Sequence, residues 1–236
     1  MTANTAPSRR RWLAAHCSAL VLLASGVLAT PTWAQPASTA AAGKPPARGL
    51  LRRPILIVGD SLSAEYGMKR GSGWVALLEE RLAQQKIATP VVNASISGDT
   101  TSGGRSRLPL LLAQHRPAIL ILELGANDAL RGLPLDMTHA NLMAMAQAAK
   151  AAGARVLVVG MQVPPNYGRT YSDEFTALFA KVAHAQGAAL VPFLLAGVAD
   201  RPNAEALFQT DRIHPTAAAH PVLLDNVWSA LEPLLH

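Results

Sequence analysis

The chain has 236 residues, half of them hydrophobic and 15 % charged, with a formal charge of +6 and one cysteine. One cysteine closes no intramolecular loop, so a disulfide scaffold is excluded, and stability must come from an apolar core. The modest charge and the 5 % aromatic content also argue against nucleic-acid binding, which calls for a dense basic footprint.

The N-terminal segment differs from the rest. Arg9, Arg10 and Arg11 form a charged n-region, Trp12 to Leu28 carries no charge, and Thr32-Trp33-Ala34 ends in a small residue suited to signal peptidase. An export signal over residues 1–34 is expected, leaving a periplasmic or secreted mature chain. Ser8-Arg9-Arg10-Arg11-Trp12-Leu13 has some likeness to a twin-arginine signal, and His16 before Cys17 fits a lipoprotein cleavage site poorly. The stretch falls short of the roughly 20 strongly apolar residues that span a bilayer, so no stable membrane anchor is expected. Cleavage removes three arginines and no acid, which halves the formal charge, and it removes Cys17. Residues 35–53 are rich in Ala, Pro, Ser and Gly without an apolar period, as in a flexible leader. The remainder, 54–236, suits one domain.

From Pro54 onward, short wholly apolar runs alternate with amphipathic ones. The runs are Ile55–Val58, Val91–Ile96, Ala118–Leu124, Arg155–Met161 and Ala188–Phe193, and their composition is that of parallel strands buried on both faces. Helical periods lie between them. Trp74–Gln84 aligns Trp74, Leu77, Leu78 and Leu82; Met137–Ala152 aligns Leu142, Met145 and Ala149; Tyr171–Gln186 aligns Phe175, Leu178 and Val182. A last helix is expected from after Pro215 to about Leu234. The alternation predicts an α/β fold, a three-layer α/β/α sandwich around a five-stranded parallel sheet in the flavodoxin-like order 2-1-3-4-5.

In such a sheet, ligands bind beyond the carboxyl ends of the strands. Gly59-Asp60-Ser61, Ser97-Gly98-Asp99-Thr100, Gly125-Ala126-Asn127-Asp128, Pro164-Pro165-Asn166-Tyr167-Gly168 and Asp211-x-x-His214 each follow one strand in turn. Every polar, glycine- or histidine-bearing cluster thus falls on one edge. A serine hydroxyl is a weak nucleophile near neutral pH and needs a histidine to take its proton and a carboxylate to orient that histidine. Of seven histidines, His16 leaves with the signal, His236 is terminal, and His115, His139, His184 and His220 fall in or at helical patterns that imply a solvated surface. His214 has Asp211 three residues before it and Pro215 after it. Ser61, His214 and Asp211 are therefore the candidate catalytic residues. The Ser61 and Gly98 N–H groups and the Asn127 side chain are candidate oxyanion donors, with Ser61 expected at the start of the first helix. Asp60 and Asp128 are expected to orient loops.

These motifs together resemble the SGNH, or GDSL, hydrolase superfamily, whose four hallmark positions fall on Ser61, Gly98, Asn127 and His214. The likeness extends through Val91–Thr100, Leu122-Glu123-Leu124-Gly125, Leu130-Arg131-Gly132 and Pro165-Asn166-Tyr167-Gly168. In these segments the chain is similar to the periplasmic thioesterase I/protease I/lysophospholipase subgroup, often labelled arylesterase. The resemblance implies the SGNH hydrolase fold and hydrolysis of small-molecule acyl esters, thioesters or lysophospholipids through an acyl-enzyme, with no metal or other cofactor. It makes Ser61 the nucleophile, His214 the general base and then acid, Asp211 its orienter, and Ser61, Gly98 and Asn127 the oxyanion hole. Two positions depart from the subgroup, Ala126 and Glu65 standing where glycines are usual, and both bear on substrate range.

Leu130, Leu133, Val163, Pro164, Pro165 and Tyr167 are expected to form an apolar groove for the acyl chain beside Ser61. A monomer is expected. Two other readings remain: an acetyl esterase acting on sugars or cell-wall polymer with the same residues, and a non-catalytic lipid-binding domain. The apolar loops disfavour the first, and the full set of catalytic parts disfavours the second.

Overall fold

The computed structural model of the protein describes residues 53–236; the proposed export signal and the leader up to residue 52 lie outside the described residues. Five strands, β1 (Ile55–Gly59), β2 (Val91–Asn93), β3 (Ile119–Glu123), β4 (Arg155–Val159) and β5 (Ala189–Val191), form one sheet in the order β2-β1-β3-β4-β5. All pairings are parallel, and β1 anchors the register by setting Ile55 beside both Val91 and Ile119. The predicted strand order is the one observed.

The sheet lies between helices α1 (Trp74–Gln84), α2 (Thr101–His115), α3 (Ala126–Leu130), α4 (Leu135–Ala151), α5 (Arg169–Gln186) and α6 (His220–Leu231). Helix α4 packs between α2 and α5, while α1 packs on α6, giving two groups, one for each face of the sheet. Central strands β1 and β3 are covered on both sides, so every residue from Ile55 to Val58 and from Ile119 to Leu122 is buried. Burying each such aliphatic side chain stabilises the fold by about 1.5–3 kcal/mol, and truncating one, as in Leu120→Ala, costs about 2–5 kcal/mol. The stripe on α5 buries Phe175, Leu178 and Val182, with Phe175 and Phe179 in a T-shaped pair at 5.2 Å.

The structure departs from the sequence reading where local chemistry overrides periodicity. Strand β2 ends at Asn93, not Ile96, where the Asn93 side chain bonds the neighbouring backbone, donating to the Ser63 carbonyl at 2.8 Å and accepting the Ser95 N–H at 3.1 Å. The chain still follows β1, with the Ala94 and Ile96 N–H groups donating to the Ile57 and Gly59 carbonyls. Helix α2 has no counterpart in the periodicity, since Gly103, Gly104 and Pro109 interrupt its apolar pattern. Thr100 caps it, its side chain accepting the Gly103 N–H at 3.3 Å. The last helix is shorter than its pattern: Ala217–Ala219 and Glu232–Leu235 are 3₁₀ turns on either side of α6. Pro233 has no N–H to continue the α-helical ladder.

Candidate active site

Strand β1 delivers the Gly59-Asp60-Ser61 turn to the carboxyl edge. A side chain at residue 59 would push its neighbours aside: a Cβ there would lie 2.7 Å from Glu123 Oε2, 2.8 Å from Ser63 Oγ and 2.9 Å from Ser95 Oγ. Ser61 is followed not by the first helix, as expected, but by consecutive turns, and α1 begins only at Trp74. The Ser63 and Ala64 N–H groups donate to the Asp60 carbonyl, and Tyr66 N–H donates to that of Ser61. These bonds have helical spacing, but Glu65 adopts φ 60° and breaks the run before α1.

The opposite wall comes from the segment after β5. Gln209 N–H donates to the His214 carbonyl at 2.8 Å and Thr216 N–H to the Leu207 carbonyl at 2.7 Å, so residues 207–216 double back as a closed loop. At its tip Arg212 adopts φ 59°. This left-handed turn aims the Ile213 and His214 N–H groups at one oxygen of Asp211, both at 3.0 Å. The other Asp211 oxygen meets His214 Nδ1 at 2.7 Å, and His214 Nε2 meets Ser61 Oγ at 2.8 Å. Asp211 is held well below the ordinary carboxylate range, at about 2, first by the hydrogen bond from the His214 N–H. An ionised Asp211 places the imidazole proton on Nδ1, which leaves Nε2 to accept the Ser61 proton.

Two loops flank the serine with donors. Gly98 has φ +79°, a conformation in which glycine escapes Cβ strain. Its carbonyl accepts from Arg131 Nη2 at 2.8 Å, tying the loop after β2 to the end of α3. Asn127, in α3, donates from Nδ2 to Asp60 Oδ2 at 3.0 Å, which fixes its amide plane and leaves its second N–H. Among the described residues, neither the Ser61 nor the Gly98 N–H has a hydrogen-bond acceptor. Ala126 is the first residue of α3, so the departure from glycine lies in the helix that carries Asn127.

Beneath the serine lies a buried carboxyl pair. Asp60 Oδ1 accepts the Leu62 N–H at 3.0 Å, and Glu123 Oε2 accepts the Asp60 N–H at 3.2 Å and the Ser63 hydroxyl at 2.7 Å. Glu123 Oε1 is buried with no partner. Burial pushes both acids up, Asp60 to about 6 and Glu123 well above its ordinary value, the Asp60 charge adding to the rise at Glu123. The two therefore favour holding a proton between them. Asp128 is also buried and accepts from Thr101 N–H at 2.8 Å, from Thr101 Oγ1 and from Thr138 Oγ1 at 3.3 Å. Asp60 and Asp128 thus orient loops, as expected.

The candidate groove residues stand on two loops. Leu130 is exposed and Leu133 half-buried after β3; Pro164 is exposed after β4, and half-buried Val163 packs on the core. Pro165 and Tyr167 bound a 3₁₀ turn, Tyr167 stacking on Tyr171 at 6.0 Å. One histidine differs from its expected surface role: His220 is buried, and its Nδ1 accepts the Trp74 N–H at 2.9 Å. Burial lowers it to about 4, so it stays neutral and caps α1 from across the fold.

Sequence reasoning missed Glu123 and Tyr66. A lone acid inside the apolar run Ala118–Leu124 was the available signal, because unpaired buried carboxyls are rare. Tyr66 carried none; its ring lies 4.4 Å from that of His214 only through the turns after Ser61. Among the described residues, no group of three or more His, Cys, Asp or Glu could hold a metal ion, and no helix is long and apolar enough to cross a membrane.

Known proteins are similar to this chain over most of the described residues. Esterase TesA of Pseudomonas aeruginosa is 51% identical over 181 residues, 77% of this chain and 89% of that protein. Thioesterase 1/protease 1/lysophospholipase L1 of Escherichia coli is 42% identical over 182 residues, 77% of this chain and 85% of that protein. A crystal structure of TesA superposes with a TM-score of 0.74 at 50% identity, covering 77% of this chain and 99% of that one. The family model described as GDSL-like lipase/acylhydrolase matches residues 57–222, and the chain belongs to that family.

Proposed function

We propose that this chain is an exported serine hydrolase in which Ser61, His214 and Asp211 cleave carboxylic esters and thioesters, lysophospholipids among them, through an acyl-enzyme. The observation that carries the reading is the hydrogen-bond chain from Ser61 Oγ through both nitrogens of His214 to Asp211, at 2.8 and 2.7 Å. The relatives named as an esterase and as thioesterase 1/protease 1/lysophospholipase L1 support the same substrate class. Ser61 attacks the acyl carbon as its proton passes to His214 Nε2. The carbonyl oxygen, now negative, takes donors from the N–H groups of Ser61 and Gly98 and from the second N–H of Asn127. His214 then gives the proton to the leaving alcohol or thiol as its bond to the acyl carbon breaks. Water repeats the sequence and frees the acid.

The acyl chain lies along Leu130, Leu133, Val163, Pro164, Pro165 and Tyr167. The protein works as a monomer, in the periplasm or outside the cell, after loss of residues 1–34. Turnover of p-nitrophenyl esters and acyl-CoA thioesters by purified protein tests the reading. Ser61→Ala should lower kcat by about five to six orders of magnitude. Turnover that survives this change would sink it.

A further inference from the structure

Six large hydrophobic residues are exposed among the described residues, and one of them, Tyr66, half exposed, lies directly against a catalytic group. Its ring centroid is 4.4 Å from that of His214, with the planes tilted by 37°. The rings are therefore in contact, and Nε2, one ring radius from the imidazole centre, lies beside the tyrosine.

Tyr66 is held in place from three directions. Its N–H donates to the Ser61 carbonyl at 3.3 Å. Gln209 Nε2 donates both to the Tyr66 carbonyl at 2.9 Å and to that of Pro215 at 3.1 Å, binding the tyrosine's backbone to the turn that bears His214. The preceding residue, Glu65, sits at φ 60° and accepts the Gly71 N–H at 3.0 Å and the Gly73 N–H at 2.7 Å. That carboxylate replaces the glycine usual in the resembling subgroup and moors the Tyr66 segment to the start of α1. Half the tyrosine remains open to solvent although its backbone is fixed on both sides.

Chemistry then assigns a direction. The group that leaves the acyl carbon must sit within proton-transfer reach of Nε2, because that nitrogen supplies its proton. The oxyanion donors belong to other loops, those after β2 and β3. Whatever flanks the imidazole therefore flanks the leaving group. We propose that Tyr66 is a specificity-determining wall of the leaving-group subsite and favours aromatic leaving groups, stacking on them in an offset or edge-to-face manner. The proposal rests on Ser61 and His214 acting as read above. By microscopic reversibility the same wall receives an alcohol that attacks the acyl-enzyme in place of water.

The test uses ratios, which do not depend on how much of a variant is folded. Wild type, Tyr66→Ala and Tyr66→Phe are compared for kcat/KM on phenyl and ethyl esters of one acid. The acyl-enzyme formed from the p-nitrophenyl ester of that acid is then partitioned between water and added benzyl alcohol. Tyr66→Ala should lower both the phenyl-to-ethyl ratio and the benzyl-ester-to-acid ratio by about five- to tenfold, the scale of an aromatic pair; Tyr66→Phe should keep both within about twofold, since the ring is retained. Equal loss on phenyl and ethyl esters with an unchanged partition would overturn the proposal, leaving Tyr66 as a support for the imidazole alone. Wild-type turnover unaffected by Ser61→Ala would instead bring down the reading of the triad, so the two failures are distinguishable.

Discussion

Ser61 stands between two carboxylates in opposite surroundings. Asp211, on the solvent side, receives three donors and stays ionised down to about pH 2. Asp60, one residue before the serine, receives the Leu62 N–H and the Asn127 amide, yet burial raises it to about 6. The number of donors differs by only one; the environments differ far more. Asp60 is 1 % exposed beside a second buried acid, whereas the Asp211 side chain is 36% exposed. Hydrogen bonds stabilise a charge only against what burial removes. The exposed acid is suited to stabilising an imidazolium, and the buried one to holding a loop in place.

The largest break in this contrast is expected at Asp211. Asp211→Asn keeps the shape but favours the wrong imidazole tautomer, and should lower kcat by about 10,000-fold, measured on a p-nitrophenyl ester. On the buried side the effect is smaller. Asp60→Ala frees the Asn127 amide it aims, and one misplaced oxyanion donor should lower kcat by about a hundredfold; an unchanged kcat would show that Asn127 needs no such support.

The smallest expected effect is on stability rather than rate. A carboxyl whose folded pKa is raised contributes stability at low pH that is lost as pH rises through the folded value. For Asp60 that window runs from 3.8 to about 6, and for Glu123 it begins at 4.5 and extends well above. Glu123→Gln removes the charge that must be buried at high pH. Urea midpoints should then fall less steeply above pH 6 than in wild type. Parallel curves would show that Glu123 does not titrate there.

The order of strands was readable because it depends on local facts, the apolar runs, and placement on one edge singled out Ser61, Asp211 and His214, which the structure brings into contact. Helix α2 was not readable, since Gly103, Gly104 and Pro109 erase the period that reveals a helix, while Asp128 stabilises its start through a contact made in space. The buried role of His220 escaped for the same reason. Its partner, the Trp74 N–H, is 146 residues away, and no pattern within either segment shows the pairing. Tyr66 and Gln209 likewise meet only after the sheet has brought β1 and the segment after β5 to the same edge.

The His220 contact also makes the first helix depend on the last. The first helix gets the acceptor for its Trp74 amide only once α6 exists, and the Ser61 hydroxyl meets an imidazole only through the loop that carries His214. A chain truncated before residue 210 thus lacks both the acceptor for its first helix and the partner of the Ser61 hydroxyl. The cap on the first helix and the partner of Ser61 thus both wait on the segment after β5.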